Sequence, residues 1–587
     1  MRNLTAPFRL LASLVPAALA AQSGGFSTGP VGPGIPATNP LVALAPLITT
    51  TLPSPVAGTD VRANQVLTGM QNETSIAVNP LNARNQVGTA NDYRFGNVHT
   101  GWYTTLDGGQ TWTTGTFGVD STFGFSGDPA VTFDSQGVVT IGCMMYSGPG
   151  GVNRVKSYRS LDGGITWQPG VVIGTAAGYD KPQIEADLGP TSPNRDHLLL
   201  AWDTFGAPTG DNIVVAVSSN QGVSWSAPQI ICPGPAAISP DVAWGKNGEA
   251  YVLWADRQLY DVLFDRSFDN GVTWGPDIKI ADFTAVPSQL PGNGFRVFDI
   301  FAIHADQSAG PFGGRVYVAW HTWTSPALAD VVVASSSNQG GAWTAPVKVS
   351  SDGAQANDQL FPGVVVDGQG GVNVVYYDQR NDPADVQIWT WISRSSDGGA
   401  TWRDHGISDL GWVNAGTENS FFIGDYLDLD ADRQGLLHPL WCDGRSGSQD
   451  VYTDSVNLQL YTNVSTLSAA GGGSATFDIR VGPNHAGQNY VLLATGSGTS
   501  PGIPLGPGLL LPINWDVWTD LSLQFAGSAV LPNSTGTLNG EGAAQAQLVL
   551  PPFPAFLAGT NLHFTAVTLG SLLITHATPP TRVSLLP

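Results

Sequence analysis

One eight-residue string recurs six times in this 587-residue chain and restricts its fold more than any other feature. Ser395–Trp402 reads Ser-Ser-Asp-Gly-Gly-Ala-Thr-Trp, and Thr105–Trp112 and Ser160–Trp167 follow it closely. Ser267–Trp274 has Asn270 at the fourth place, while Ser218–Trp225 and Ser336–Trp343 carry Asn220 and Asn338 instead of the Asp. The six tryptophans, from Trp112 to Trp402, lie 49 to 69 residues apart.

Each fixed position has a physical role. An Asp or Asn side chain accepts hydrogen bonds from backbone N–H groups ahead of it and closes a tight turn. The Gly adopts a backbone angle that a side chain disfavours. The Trp opens the next strand and buries a large ring whose indole N–H seeks a partner. The string is therefore a hairpin corner, and its recurrence signals a repeat architecture in which each unit buries its face against the next.

The octet resembles the Asp-box, or BNR repeat, of the sialidase (neuraminidase) superfamily and of other Asp-box β-propellers. The resemblance covers roughly residues 72–457. It implies an all-β propeller, with activity left open because a fold hosts many functions.

Composition agrees with many short strands. Charged residues make up 12%, against 72 Gly, 42 Pro and 18 Trp. A net charge of −22 excludes broad binding to nucleic acid or anionic membrane, which needs a basic footprint. Arg2 and Arg9 precede an apolar run, Leu10–Leu19, that ends in Ala18-Leu19-Ala20. That run is too short to span a bilayer, so residues 1–21 read as a signal peptide, which predicts a secreted, periplasmic or cell-surface protein. Three cysteines, Cys143, Cys232 and Cys442, form one pair at most and read as buried thiols. Residues 22–66 are rich in Gly and Pro without periodicity and read as a linker.

Seven first strands can be counted against six boxes, the last at Tyr426–Leu429. The unit that ends at Thr453 has no box, and its fourth strand is expected from the segment before Asn72, closing the ring. Seven blades are therefore expected over residues 67–457, with six as the alternative. Residues 458–587 contain no box and alternate as strands between Pro/Gly turns, so they read as a small C-terminal β-sandwich.

In a four-stranded blade the box lies on one face, and the first-strand starts and second-strand ends lie on the other. That face should carry Glu73, Asp128, Lys181 and Tyr426 with Arg94, Arg257, Arg380, Arg445 and His321. Guanidinium forks match carboxylates, and carboxylate pairs serve glycoside hydrolysis. Residues unique to one unit (Glu73, Lys181, His321, Glu418 and Tyr426) weigh more than recurring Asp-Arg ends, which equally suit internal salt bridges.

The sialidase resemblance implies Tyr426 as nucleophile, with Glu418 or Glu73 taking its proton and Asp128 as acid/base. Arg94, Arg257, Arg380, Arg445, Lys181 and His321 would then bind substrate. The family's arginine-bearing Phe/Tyr-Arg-Ile-Pro motif is missing: Glu73-Thr74-Ser75-Ile76 stands there, and the nearest string, Phe295-Arg296-Val297-Phe298, falls in another unit. Three readings follow: a sialidase-like hydrolase of terminal, including acidic, sugars; a non-catalytic glycan- or protein-binding propeller; and a polysaccharide lyase with Tyr426 or His321 as base. A glycan partner is expected and no cofactor; Asp-rich loops can hold calcium, but no spacing matches a calcium-loop motif.

Overall fold

A computed structural model describes residues 59–587, apart from 66–67, 120–121, 148–151, 206–209, 235, 291–293, 326–327, 353–356, 415–416, 418–420, 507–508 and 571–572. The segment read as a signal peptide, most of the linker and Glu418 lie outside the described residues.

Seven four-stranded antiparallel sheets follow one another along the chain. Their first strands are Gln71–Val78, Phe125–Phe133, Asp180–Ala186, Ala237–Trp244, Phe301–Ala305, Gln359–Val366 and Asp428–Ala431. Each first strand packs against the next, and the seventh packs against the first, so the strands form a closed wheel. The second strands supply much of the inter-blade core: Trp202, Trp254, Trp320 and Trp441 are at most 1% exposed. Apolar residues on both faces of a strand are what a sheet covered on both sides requires.

The wheel closes as the unit count requires. Val61 and Arg62 pair with Thr453 and Tyr452 as the outer strand of blade seven. These residues fall inside the stretch read as linker, so the propeller begins before residue 67. Asn64, 1% exposed, locks the joint: its amide donates to Asp450 Oδ1 at 2.7 Å, and its carbonyl oxygen accepts from Val451 N at 3.0 Å. Blade seven lacks an Asp-box because its outer strand arrives from the far end of the chain, so no corner joins strands three and four.

Register fixes the two faces. In blade one, Gln71 lies opposite Asp92 and Asp92 opposite His99, whereas Val78 lies opposite Gln86 and Gln86 opposite Thr105, where the box begins. The boxes therefore occupy the face opposite the first-strand starts.

Within a box, Asp107 accepts from Thr111 N at 2.9 Å and from the Thr111 hydroxyl at 2.6 Å, while Trp112 Nε1 donates to Gly109 O at 3.0 Å. The two residues after the Asp are both left-handed, as with Asn270 (φ 64°) and Gly271 (φ 74°), which explains why Gly, Asn or Gln fills the first of them. These residues also fasten each blade to the one before. Gln221 donates to Asp134 Oδ2, Asn270 meets His197 Nδ1, and Gln339 donates to Glu249 Oε1, at 2.7 to 2.8 Å.

Along the axis, side chains of one inner strand accept from the backbone of the next. Ser75 Oγ takes Val131 N, Thr132 Oγ1 takes Ala186 N, Asp241 Oδ2 takes Ile303 N, and Asp430 Oδ2 takes Val78 N. Burial pushes Asp241 and Asp428 up to about 6 and Asp430 up to about 7.

Residues from 458 form a β-sandwich as expected, with sheets built around Gly473–Arg480 and Asn561–Leu569 and the Phe477 and Phe564 rings 4.6 Å apart between them. The sandwich also holds a helix, Val517–Gln524, capped by the Asp516 side chain. It docks on the box face through His485 and Asn484 to Gln369 and through Gln434 to Leu510 O. All three cysteines are free and buried. Among the described residues no helix is long and apolar enough to cross a membrane.

Two outcomes follow from this architecture. Asn64→Ala removes the donor to Asp450 Oδ1 and the acceptor of the Val451 N–H, while Ser446 and Arg62 still reach Asp450 Oδ2, and should cost about 1–3 kcal/mol in urea unfolding of the propeller. A cost near zero would mean that the closing joint is not what holds the ring. For pH, Asp203, Asp358 and Asp430 are raised to about 7 by burial. Because their folded values exceed the unfolded value of about 3.9, their contribution is complete below that value and is lost as pH rises through about 7. Melting temperature should therefore rise as pH is lowered from about 8.5 to about 6.5. Below that, buried His304 and His438, each held near 4 by burial, act in the opposite direction.

Candidate functional site

The first strands do not run straight into the wheel. Five carry a bulge near the start, where two residues have no partner: Glu73-Thr74, Asp128-Pro129, Lys181-Pro182, Ser239-Pro240 and Phe361-Pro362. The first residue of each pair is left-handed, with φ of 57°, 49°, 41°, 53° and 54°. Such a conformation costs a non-glycine residue roughly 1–2 kcal/mol, and strain of this kind gathers at functional sites. Pro, with no N–H to leave unpaired, suits the second position. Glu73, Asp128, Lys181 and Ser239 line one pocket at the mouth of the central channel; Phe361 instead packs into the core.

The pocket encloses about 90 Å³ and adds Asp180, Asp203, Phe205, Arg296, Phe298, Asp425 and Tyr426 to those four. Asp128 stands on the same pocket lining as Glu73 and Asp180. Asn91 holds the row together: its amide donates to Glu73 Oε2 and, at 3.3 Å, to Asp128 Oδ1, and its oxygen accepts from Asp128 N at 2.8 Å. Burial, then repulsion from Asp128, holds Glu73 and Asp180 well above the ordinary carboxylate range. Raised carboxyls of this kind favour the protonated form and suit a proton donor.

Tyr426 is 8% exposed and its hydroxyl has no partner among the described residues. Burial and the charges of Glu73 and Asp128 keep the phenol well above its ordinary value. Lys181 Nζ stands 5.3 Å from the Tyr426 ring centroid and donates to Pro240 O at 3.3 Å. Asp425, raised to about 6 by burial against the opposing pull of Arg296, forms an ion pair with that arginine. Arg296 reaches the site on the segment leading into blade five, its N–H bonded to Phe421 O at 2.6 Å and its guanidinium 4.6 Å from the Phe422 ring. Among the described residues no group of three or more His, Cys, Asp or Glu is arranged to hold a metal ion.

The wheel therefore brings together Glu73, Asp128, Lys181 and Tyr426 from the expected set. The four expected arginines do not converge on them. Arg94 pairs with Asp92, Arg380 with Asp378 and Asp404, and Arg445 with Asp443 and Asp60. Arg257 lies 3.5 Å from Asp299 and stacks over Phe298. A guanidinium one or two residues after an Asp folds back on its own strand end, or in Arg257 onto the next blade's Asp. His321 is fully buried, and its Nδ1 accepts from Phe361 N at 3.1 Å, so it is a blade-to-blade tie.

Asp180, Asp203, Asp425 and Arg296 enlarge the expected site. Arg296, set in the wrong unit by sequence, is the arginine that arrives. The local signal for the bulge residues was the Pro or Thr that follows each one inside an apolar strand.

Comparison with known proteins matches residues 158–169 to the BNR/Asp-box repeat. Compared with curated proteins, the sequence matches none. Among solved structures, a Hadza microbial sialidase aligns at 16% identity over 52% of this chain and 63% of its own, with a TM-score of 0.38. This chain thus spans less than two thirds of that protein. An α-L-arabinofuranosidase from Fusarium graminearum aligns at 13% identity over 68% and 98%, with a TM-score of 0.39. NanB sialidase from Streptococcus pneumoniae aligns at 8% over 62% and 72%, with a TM-score of 0.40. The octets, the repeat match and the closed wheel together make this chain a seven-bladed Asp-box β-propeller.

Proposed function

We propose that the protein is an exported glycoside hydrolase that works at the pocket formed by Glu73, Asp128, Asp180, Asp425 and Tyr426. The observation that carries this reading is the row of Glu73, Asp128 and Asp180 on one pocket lining, its first two members bridged by Asn91, beside the unpartnered Tyr426 hydroxyl. Hydrolysis of a glycosidic bond needs one carboxylic acid to protonate the leaving oxygen and a negative group facing the anomeric carbon. We assign the acid to the row and the negative group to Asp425 on the same lining, since carboxyls in mutual contact are too close to fill both roles. The row donates a proton as the glycosidic C–O bond breaks, and the Asp425 carboxylate, with the Tyr426 oxygen, faces the oxocarbenium-like carbon. Water then adds its hydroxyl to that carbon and returns a proton to the row.

Burial and the nearby Asp128 hold the Glu73 carboxyl well above its ordinary range, which makes it a better proton donor than acceptor toward Tyr426. The phenol is accordingly assigned a stabilising role until a neighbouring carboxylate is free to accept its proton. Arg296 positions Asp425, and Lys181 stands beneath the Tyr426 ring.

The reading is tested with a panel of fluorogenic glycosides. Asp128→Asn and Glu73→Gln should each lower kcat/KM roughly 10²–10⁴-fold with melting temperature little changed, as expected for removal of an acid–base group. Unchanged turnover in both variants would place the chemistry elsewhere. Binding of glycans without turnover would favour the non-catalytic propeller.

The pH profile of kcat/KM should be bell-shaped. Its acid limb falls near pH 6, as Asp425 takes up a proton and releases Arg296. Its alkaline limb appears as the row loses a proton. Asp425→Asn should abolish the acid limb, and a profile in which that limb persists would remove Asp425 from the mechanism.

A further inference from the structure

We infer that the sugar accepted by this pocket is uncharged and rich in hydroxyls, and that a carboxylate-bearing sugar is excluded. The inference rests on the hydrolase reading for its site and goes further by naming the substrate class.

The argument starts from donors and acceptors. A ligand carboxylate offers only acceptors, so it needs donors opposite it, ideally the fork of an arginine. Around this pocket such donors are already engaged. Arg296 is bound to Asp425, and Lys181 is 8% exposed, with its Nζ bonded to Pro240 O beneath the Tyr426 ring. Arg94, Arg380 and Arg445 are each locked to aspartates of their own strand ends, outside the pocket lining.

Against these two cations stand five carboxyl groups, from Glu73, Asp128, Asp180, Asp203 and Asp425. The ionised members of this set oppose a ligand anion, and every carboxyl oxygen without a proton accepts readily from sugar hydroxyls. A second observation points the same way without depending on charge. Asp425 Oδ1 and the Tyr426 hydroxyl are buried polar atoms with no partner among the described residues. One can only accept, and the other can donate or accept, so a ligand hydroxyl satisfies both whereas a carboxylate satisfies one at most. Phe205, 45% exposed, and Phe298 stand edge to face at 6.3 Å on the same lining and offer an apolar wall to a sugar face.

The test sets uncharged glycosides against acidic ones, including two pairs, galactoside with galacturonide and glucoside with glucuronide, that differ only at C6. 4-Methylumbelliferyl galactoside, glucoside and arabinofuranoside are assayed beside the galacturonide, glucuronide and sialoside. Binding of the six free sugars is followed in parallel by saturation-transfer NMR. At least one uncharged member should exceed every acidic member in kcat/KM by at least about 100-fold, the scale of like-charge rejection in a desolvated site. In NMR, uncharged sugars should give signals that weaken in Tyr426→Phe and Asp425→Asn, while acidic sugars give none.

Turnover of the sialoside or a uronide at a comparable rate, lost in Glu73→Gln, would overturn this inference and leave the hydrolase reading standing. Uncharged sugars that bind in a Tyr426-dependent way without turnover would uphold the inference and overturn the hydrolase reading. Silence from all six sugars in both measurements would overturn both.

Discussion

The pairing of Val61 and Arg62 with Tyr452 and Thr453 is the constraint from which the rest of this structure follows. Each blade packs its apolar faces against two neighbours, so an open row of seven would leave two faces and one sheet edge in water. Joining the first described strand to the last sheet removes both exposures at once. Asn64 makes the joint specific by substituting its side-chain amide for a further stretch of ladder. With the ring closed, the seven inner strands are forced to converge, and their starts meet at one mouth.

Convergence explains why so much negative charge is tolerated there. In isolation, each of Glu73, Asp128 and Asp180 would ionise and remain hydrated. Brought together at the first-strand starts of three adjacent blades, Glu73 and Asp180 are held well above the ordinary carboxylate range by burial and by the nearby Asp128. The strain at the bulges and the desolvation of the carboxyls are offset by contacts elsewhere in the wheel, notably the blade-to-blade bonds from the box residues. The opposite face has the opposite chemistry. Asp269 in its box is held down near 2 by bonds from Thr273 and Ser267, because its carboxylate is exposed and well supplied with donors. One residue type thus serves as a fixed anion on one face and a proton carrier on the other.

The arginines show how position in the fold overrides residue type. Their chemistry suits anion recognition, yet Arg94, Arg380 and Arg445 each follow an Asp by two residues at a strand end. The shortest route for such a side chain leads back to its own carboxylate. Arg296 lacks a partner of that kind nearby and lies in a long connection, so it is free to cross to Asp425.

Much of the wheel was legible in the sequence because the octet is local. Ser, Asp, Gly, Thr and Trp within eight residues contain their own hydrogen-bond partners, so recognising the string recognises the corner. Counting seven first strands against six corners even located the missing outer strand. Glu73, Asp128, Lys181 and Tyr426 were legible as residues at first-strand starts, where the pattern of the units breaks. The arrival of Arg296, the self-pairing of the other arginines and the helix of the C-terminal sandwich were not. Each depends on which segments become neighbours in space, and sequence spacing carries no record of that. The sequence by itself determined the repeating corner, the blade and their number, since all three rest on hydrogen bonds and burial within one unit. Only the closed tertiary structure decided which carboxyls lie together and which cation faces them, since charge in a buried pocket is set by distances across blades.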